Sequence, residues 1–181
     1  MKIISGGQTG ADEAGLIAAK MFGLETGGWM PDGFKTKVGD RPEFADKYGC
    51  IAMTGANYKD RTVMNAGLSD ATIRFACLWN SPGEKCTMNA IKRYNKPFFD
   101  VDVINAYYDW DITDSIIDTI HPDNCANWIS GLGVKTLNIA GNSNRDFYSK
   151  EGQRNNIRDF VITYLSRVFR ELGYKKVENG V

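Results

Sequence analysis

The apolar positions of this chain alternate between short runs and helical stripes. "MKII" opens as a strand and stops at a glycine-rich stretch, after which "GADEAGLIAAKMFG" has the alanine content and apolar spacing of a helix closed by Gly23. From residue 24 to 49, Gly, Pro and charge break every period, which predicts a long loop excursion over the surface, above a ligand site. "CIAMT" then predicts a short strand, "NYKDRTVMNAGLSD" a helix stopping near Gly67, and "ATIRFACLW" a buried strand. "NSPGEKC" interrupts, and "TMNAIKRYN" forms a helix ended by "KPFFDV". "NAYYDWDITDSIIDTIHPDNCANWISGLGV" gives one or two helices, with Thr113 or Asp114 as a cap. "KTLNIAG" is a last apolar strand, cut off at "GNSNRD". The stretch "QRNNIRDFVITYLSRVFREL" is an amphipathic helix with Ile157, Phe160, Val161, Tyr164, Leu165, Val168 and Phe169 on one broad side.

Strands alternating with helices imply an α/β protein with a mostly parallel sheet covered on both faces. The 181 residues, 43% of them hydrophobic, suit one domain over 1–181. Polar loops after Ile4, Trp79 and Ala140 then fall at carboxyl ends of strands, where open α/β sheets place ligands.

Charge narrows the partners. Lys plus Arg and Asp plus Glu are each 22, so no global field favours a nucleic-acid polymer or an anionic membrane. No run approaches the roughly 18 apolar residues of a membrane span, and the expectation is a soluble cytoplasmic protein. The four cysteines and the one histidine, His121, lack metal-knuckle spacing, so no metal site is expected; His121 reads as a helix-end or surface residue.

"SGGQTGAD" carries the first candidate chemistry. Gly6, Gly7 and Gly10 permit close backbone approach, and with Gln8 and Thr9 they would cradle an anion at a helix start, or simply form a turn. The spacing is neither that of a P-loop nor of a dinucleotide fingerprint. Asp12 would cap the helix, orient Gln8 or Thr9, or meet a ligand hydroxyl. In "SPGEKCT", Lys85 and Thr87 are candidate donors, while Glu84 and Lys85 also read as a solvated turn. Gly141 and Asn142 would close a rear loop. Arg61 stands near a helix start, where a cation has no dipole to answer and a phosphate, a carboxylate or a ligand would explain it. Trp29 beside two glycines would stack on a planar ligand or pack as a lid on the core. Asp70 would hold a loop by accepting backbone hydrogen bonds. The aromatic segment "NAYYDWDI" is a candidate oligomer interface, or satellite packing.

"SGGQTGAD", "GGWMPDGF", "YKDRTVMNAGLSDAT", "GEKCTMNAI" and "TLNIAG" resemble the molybdenum carrier family, within the wider group of circularly permuted YpsA and Lonely-guy-like SLOG domains. The resemblance covers about residues 1 to 170. It implies a Rossmann-like sheet, a homo-oligomer, and an oxyanion or phosphorylated nucleotide over the glycine loops. In the Lonely-guy phosphoribohydrolases an Arg, with a Met three residues later, precedes a PGGxGTxxE loop. Arg61 and Met64 are similar to the first element, and Pro82, Gly83 and Thr87 to the second. Glu84 and Cys86 replace glycines and Ala90 stands in place of the catalytic Glu, which argues against the same N-glycosidic hydrolysis.

The resulting expectation is a protein that binds or carries a phosphorylated cofactor or nucleotide, with molybdenum cofactor, molybdate and a simple nucleotide all open. Two alternatives stand beside it. One is a hydrolase or transferase cleaving an N-glycosidic bond, with Asp12 or Glu84 as acid, base or nucleophile; the other is a protein sequestering a nucleotide messenger.

Overall fold

A computed structural model describes residues 1–109, 121–148, 152 and 154–178. Strand β1 (Lys2–Ser5) lies inside a six-stranded sheet of order β5-β2-β1-β8-β6-β7, whose pairs all run parallel. The other strands are β2 (Glu25–Met30), β5 (Cys50–Ala52), β6 (Ala71–Ala76), β7 (Phe98–Asp102) and β8 (Thr136–Gly141). The α/β class and parallel sheet follow the predicted alternation.

Helices α1 (Ala11–Met21) and α7 (Ile157–Glu171) pack together on one face, with α6 (Pro122–Leu132) against α7. Gly15 lets α1 approach β8, because a Cβ there would stand 2.7 Å from Cβ of Ile139. The apolar side read for α7 is fully engaged: all seven named residues, from Ile157 to Phe169, are buried. Each such large side chain contributes roughly 1.5–3 kcal/mol by leaving water. Helices α3 (Tyr58–Leu68) and α4 (Pro82–Arg93) cover the opposite face through Ala66, Ala90 and Ile91.

The stretch 24–49 is not one loop. It contains β2, the antiparallel hairpin β3 (Lys35–Thr36) and β4 (Gly39–Asp40), and helix α2 (Phe44–Tyr48). Glycine causes the misreading: Gly28 has φ +128, and a Cβ there would overlap the backbone of Ser5 on β1. The residues that resemble a loop are those that let β2 lie close to β1. Phe44 and Tyr48 pack edge to face at 4.9 Å and bury against Leu16, Ile17 and Met30.

Other boundaries also move. "KPFFDV" holds edge strand β7. Helix α4 begins at Pro82 rather than Thr87, capped by Ser81, whose Oγ accepts the N–H of Glu84. A hairpin of β9 (Asp146–Tyr148) and β10 (Arg154–Asn156) precedes α7, and Asn156 caps that helix by accepting the N–H of Asp159. Helix α5 spans Val103–Asp109. The proposed caps Thr113 and Asp114, and the end of "NAYYDWDI", lie outside the described residues.

Asp70 does what its position suggested. Its carboxylate accepts the N–H groups of Lys135 and Thr136 at 2.9 and 2.7 Å, and its own N–H donates to Thr136 at 2.8 Å. This clasp sits where β6 and β8 begin to pair. The backbone bond from Thr136 holds the carboxyl below its usual range. His121 caps α6 by accepting the N–H of Asp123 through Nδ1.

Candidate functional site

The loops following β1, β8 and β6 meet at the carboxyl edge of the sheet. Gly10, at φ +97, lies so close to the backbone of Asn142–Asn144 that a Cβ would overlap it. The loops are stitched there by Ala11 N–H to the Asn142 carbonyl at 3.1 Å and Asn144 N–H to the Thr9 carbonyl at 3.0 Å. Gly7, at φ +67, is closed from the other side by Sδ of Met30, 2.6 Å from where its Cβ would stand. Gln8 is buried, and its Oε1 accepts the Thr9 N–H at 3.0 Å. The loop is prefolded by its own chain.

Asp12 sits in the first turn of α1 with 3% of its surface exposed. Its Oδ2 accepts from Nη1 of Arg61 at 2.8 Å and from the N–H of Gln8 at 3.3 Å. Burial raises its pKa, and the Arg61 charge is the largest opposing influence. The lone cation at the start of α3 is thus answered by a carboxylate from α1. Arg61 occupies the space a side chain on Gly6 would fill, and its buried Nε has no hydrogen-bond partner. Orphaned buried donors are rare, and this one belongs to a guanidinium suited to phosphate or carboxylate.

Glu84 is the second buried carboxyl, 2% exposed in the first turn of α4. Its Oε1 accepts from Nδ2 of Asn142 at 3.0 Å, and its Oε2 lies 3.7 Å from Nη1 of Arg74 without a hydrogen bond. Arg74 is gripped by both oxygens of Asp100 and lies over the Trp79 ring at 4.9 Å. Asn142 also accepts from the N–H groups of Cys77 and Leu78 at 3.0 and 2.9 Å, joining the β6 and β8 loops. Desolvation pushes Glu84 up to about 7, with Arg74 and Asn142 opposing and the charges of Asp12 and Asp100 adding.

This gives a pH prediction. A folded pKa above the ordinary 4.5 means that Glu84 contributes stability that is fully present below that value and lost as pH rises through about 7. Glu84→Gln should flatten the stability profile between about pH 5 and 8, gaining about 2–3 kcal/mol relative to wild type at the alkaline end. Denaturant melts at both pH values check it. Parallel profiles for the two proteins would contradict it.

The sequence profile of the circularly permutated YpsA SLOG family matches residues 3–169. The chain belongs to that family. Among solved structures, this SLOG chain is similar to the crystal structure of a "Putative molybdenum carrier protein" from Syntrophus aciditrophicus SB, at 26% identity and a TM-score of 0.67. That likeness covers 94% of this chain and 93% of the other. No curated protein matches.

Within the SLOG domain, then, Gly6, Gly7, Gln8, Thr9, Gly10, Asp12, Arg61, Glu84, Gly141 and Asn142 converge at one edge. Thr87 is buried, but its hydroxyl donates to the Gly83 carbonyl of its own helix at 3.1 Å. Lys85 is exposed while Glu84 points inward; the solvated-turn reading fails for Glu84 because α4 starts early enough to carry it into the protein. Trp29 is a strand residue. Asn65 holds its backbone, accepting its N–H at 2.8 Å and donating to its carbonyl at 2.9 Å, and the residue is half-buried. The Glu84 neighbour Arg74 was not legible in the sequence, because it is hidden in the apolar run of β6.

No helix among the described residues is long and apolar enough to cross a membrane.

Proposed function

We propose that this protein binds and carries a phosphorylated cofactor or nucleotide without cleaving it, in the crevice between the β1, β6 and β8 loops. The observation that carries this reading is Arg61, a guanidinium held by Asp12 over Gly6 with a buried Nε–H left unpartnered. A phosphate is the natural partner for the part of that guanidinium that reaches the surface, the Arg61 side chain being 12% exposed. Carrying is favoured over hydrolysis by Ala90, which occupies the place of the catalytic Glu and is packed with Ala66 and Ile91 between the helices.

The neighbour's name raises molybdenum as cargo. A bare molybdate needs a cage of donors, and in the first loop the N–H groups of Gln8, Thr9, Ala11 and Glu13 already bond within the chain. A larger ligand, meeting Arg61 through a phosphate, suits this loop better. Molybdenum cofactor fits that description.

A second reading has one observation in its favour. A carboxyl titrating near 7 beside the crevice suits general acid catalysis, and Glu84 is such a group. It would protonate a leaving base while Asp12 faced the sugar.

Calorimetric titration with AMP, inorganic phosphate and molybdate separates the ligands. The carrier reading expects AMP to bind at least about tenfold more tightly than molybdate. Tighter binding of molybdate would overturn the preference for a phosphorylated ligand.

A further inference from the structure

We propose that Lys37 is a second cation of the ligand site, carried across the first loop by the β3–β4 hairpin. The inference rests on the reading that the crevice takes a phosphorylated ligand, and it adds the residue that meets the phosphate from the side opposite Arg61.

The hairpin turn is closed locally, with the Thr36 hydroxyl donating to the Gly39 carbonyl at 2.7 Å and accepting the Val38 N–H at 3.3 Å. Lys37 then faces the crevice in two ways. Its backbone N–H donates to Oε1 of Gln8 at 3.0 Å, and its Nζ donates to Oγ of Ser143 at 2.6 Å. Gln8 belongs to the loop after β1 and Ser143 to the loop after β8. Lys37 therefore links the two loops that form the floor of the site, through its backbone N–H to one and its ammonium to the other.

Its electrostatic setting differs from that of the two arginines beside the same loop. Arg41 pairs with Glu13 and Glu43, and Arg61 pairs with Asp12. Among the described residues, Lys37 has no carboxylate within ion-pair distance; its side-chain partner is a neutral hydroxyl. Ser143 in turn packs against Gly10, the residue before α1. Arg61 at the Gly6 end of the loop and Lys37 at the Gln8–Gly10 end would grip one phosphate from two sides.

The backbone bond to Gln8 survives truncation of the side chain, so Lys37→Ala should keep the hairpin in place. Titration with AMP should show about a tenfold loss of affinity in Lys37→Ala, substantial recovery in Lys37→Arg, and a shallower dependence of affinity on salt in the alanine variant. Lys92→Ala, in the last turn of α4, should bind as wild type. Equal affinity in Lys37→Ala and wild type, with binding lost in Arg61→Ala, would overturn the role of Lys37 while keeping the site. Failure of the wild-type protein to bind AMP or inorganic phosphate would bring down both the inference and the reading beneath it.

Discussion

Arg61→Ala should lose AMP binding by about 100-fold and destabilise the protein by about 3–5 kcal/mol near neutral pH. The two losses have different origins. Affinity falls because the guanidinium and its unpartnered Nε–H are gone. Stability falls because Asp12, 3% exposed, loses the counter-ion that offsets the cost of its burial. Removing Arg61 takes away the largest influence holding the Asp12 pKa down, so burial raises it further and the variant should lose stability more steeply as pH rises. A double variant, Arg61→Ala with Asp12→Asn, tests the separation. It should regain most of the stability, since no unpaired charge stays buried, and none of the affinity. Recovery of AMP binding in the double variant would show that Arg61 serves Asp12 alone.

Gly141→Ala should cost about 3 kcal/mol or more, lowering the melting temperature by roughly 6–12 °C. Gly141 ends β8 opposite Phe75 of β6, at φ +154. A Cβ there would overlap the Phe75 carbonyl oxygen and stand 2.9 Å from Cβ of Ala11. Neither neighbour can swing away, because the first is backbone within the sheet and the second lies at the start of α1. The Asn142 N–H bonds to that same Phe75 carbonyl at 2.9 Å, so displacement there would also loosen the side chain that holds Glu84. Gly131 in α6 provides the contrast, with nothing within 4 Å of an added methyl and no positive φ. Gly131→Ala should be neutral or stabilise by about 0.5–1 kcal/mol. Similar melting temperatures for the two alanine variants would refute the steric account of Gly141.

The sequence makes the central strands legible because parallel neighbours on both sides require near-continuous apolar runs, as in "ATIRFA" of β6. Strand β2 escaped because Gly27 and Gly28 are selected by contact with β1 rather than by strand propensity. Edge strand β7 escaped because "FFDVD" places its acids where Asp100 grips Arg74 and Asp102 accepts from Nε1 of Trp79. In the site, the glycine loop, Asp12, Arg61 and Asn142 were visible as residue types at strand ends and helix starts. Their pairings were not, because Asp12 and Arg61 come from α1 and α3, which cover opposite faces of the sheet. The inward turn of Glu84 depended on a helix start that the Pro and Gly of "SPGE" disguised.

The central claim is that the crevice holds a phosphorylated compound and leaves it intact. The most direct test is mass spectrometry of small molecules released from protein purified without added ligand, repeated after those molecules are incubated with fresh protein. The carrier account predicts a phosphorylated compound of the same mass before and after incubation. Recovery of a free base and a sugar phosphate would contradict it and put Glu84 and Asp12 at the centre of a hydrolytic mechanism.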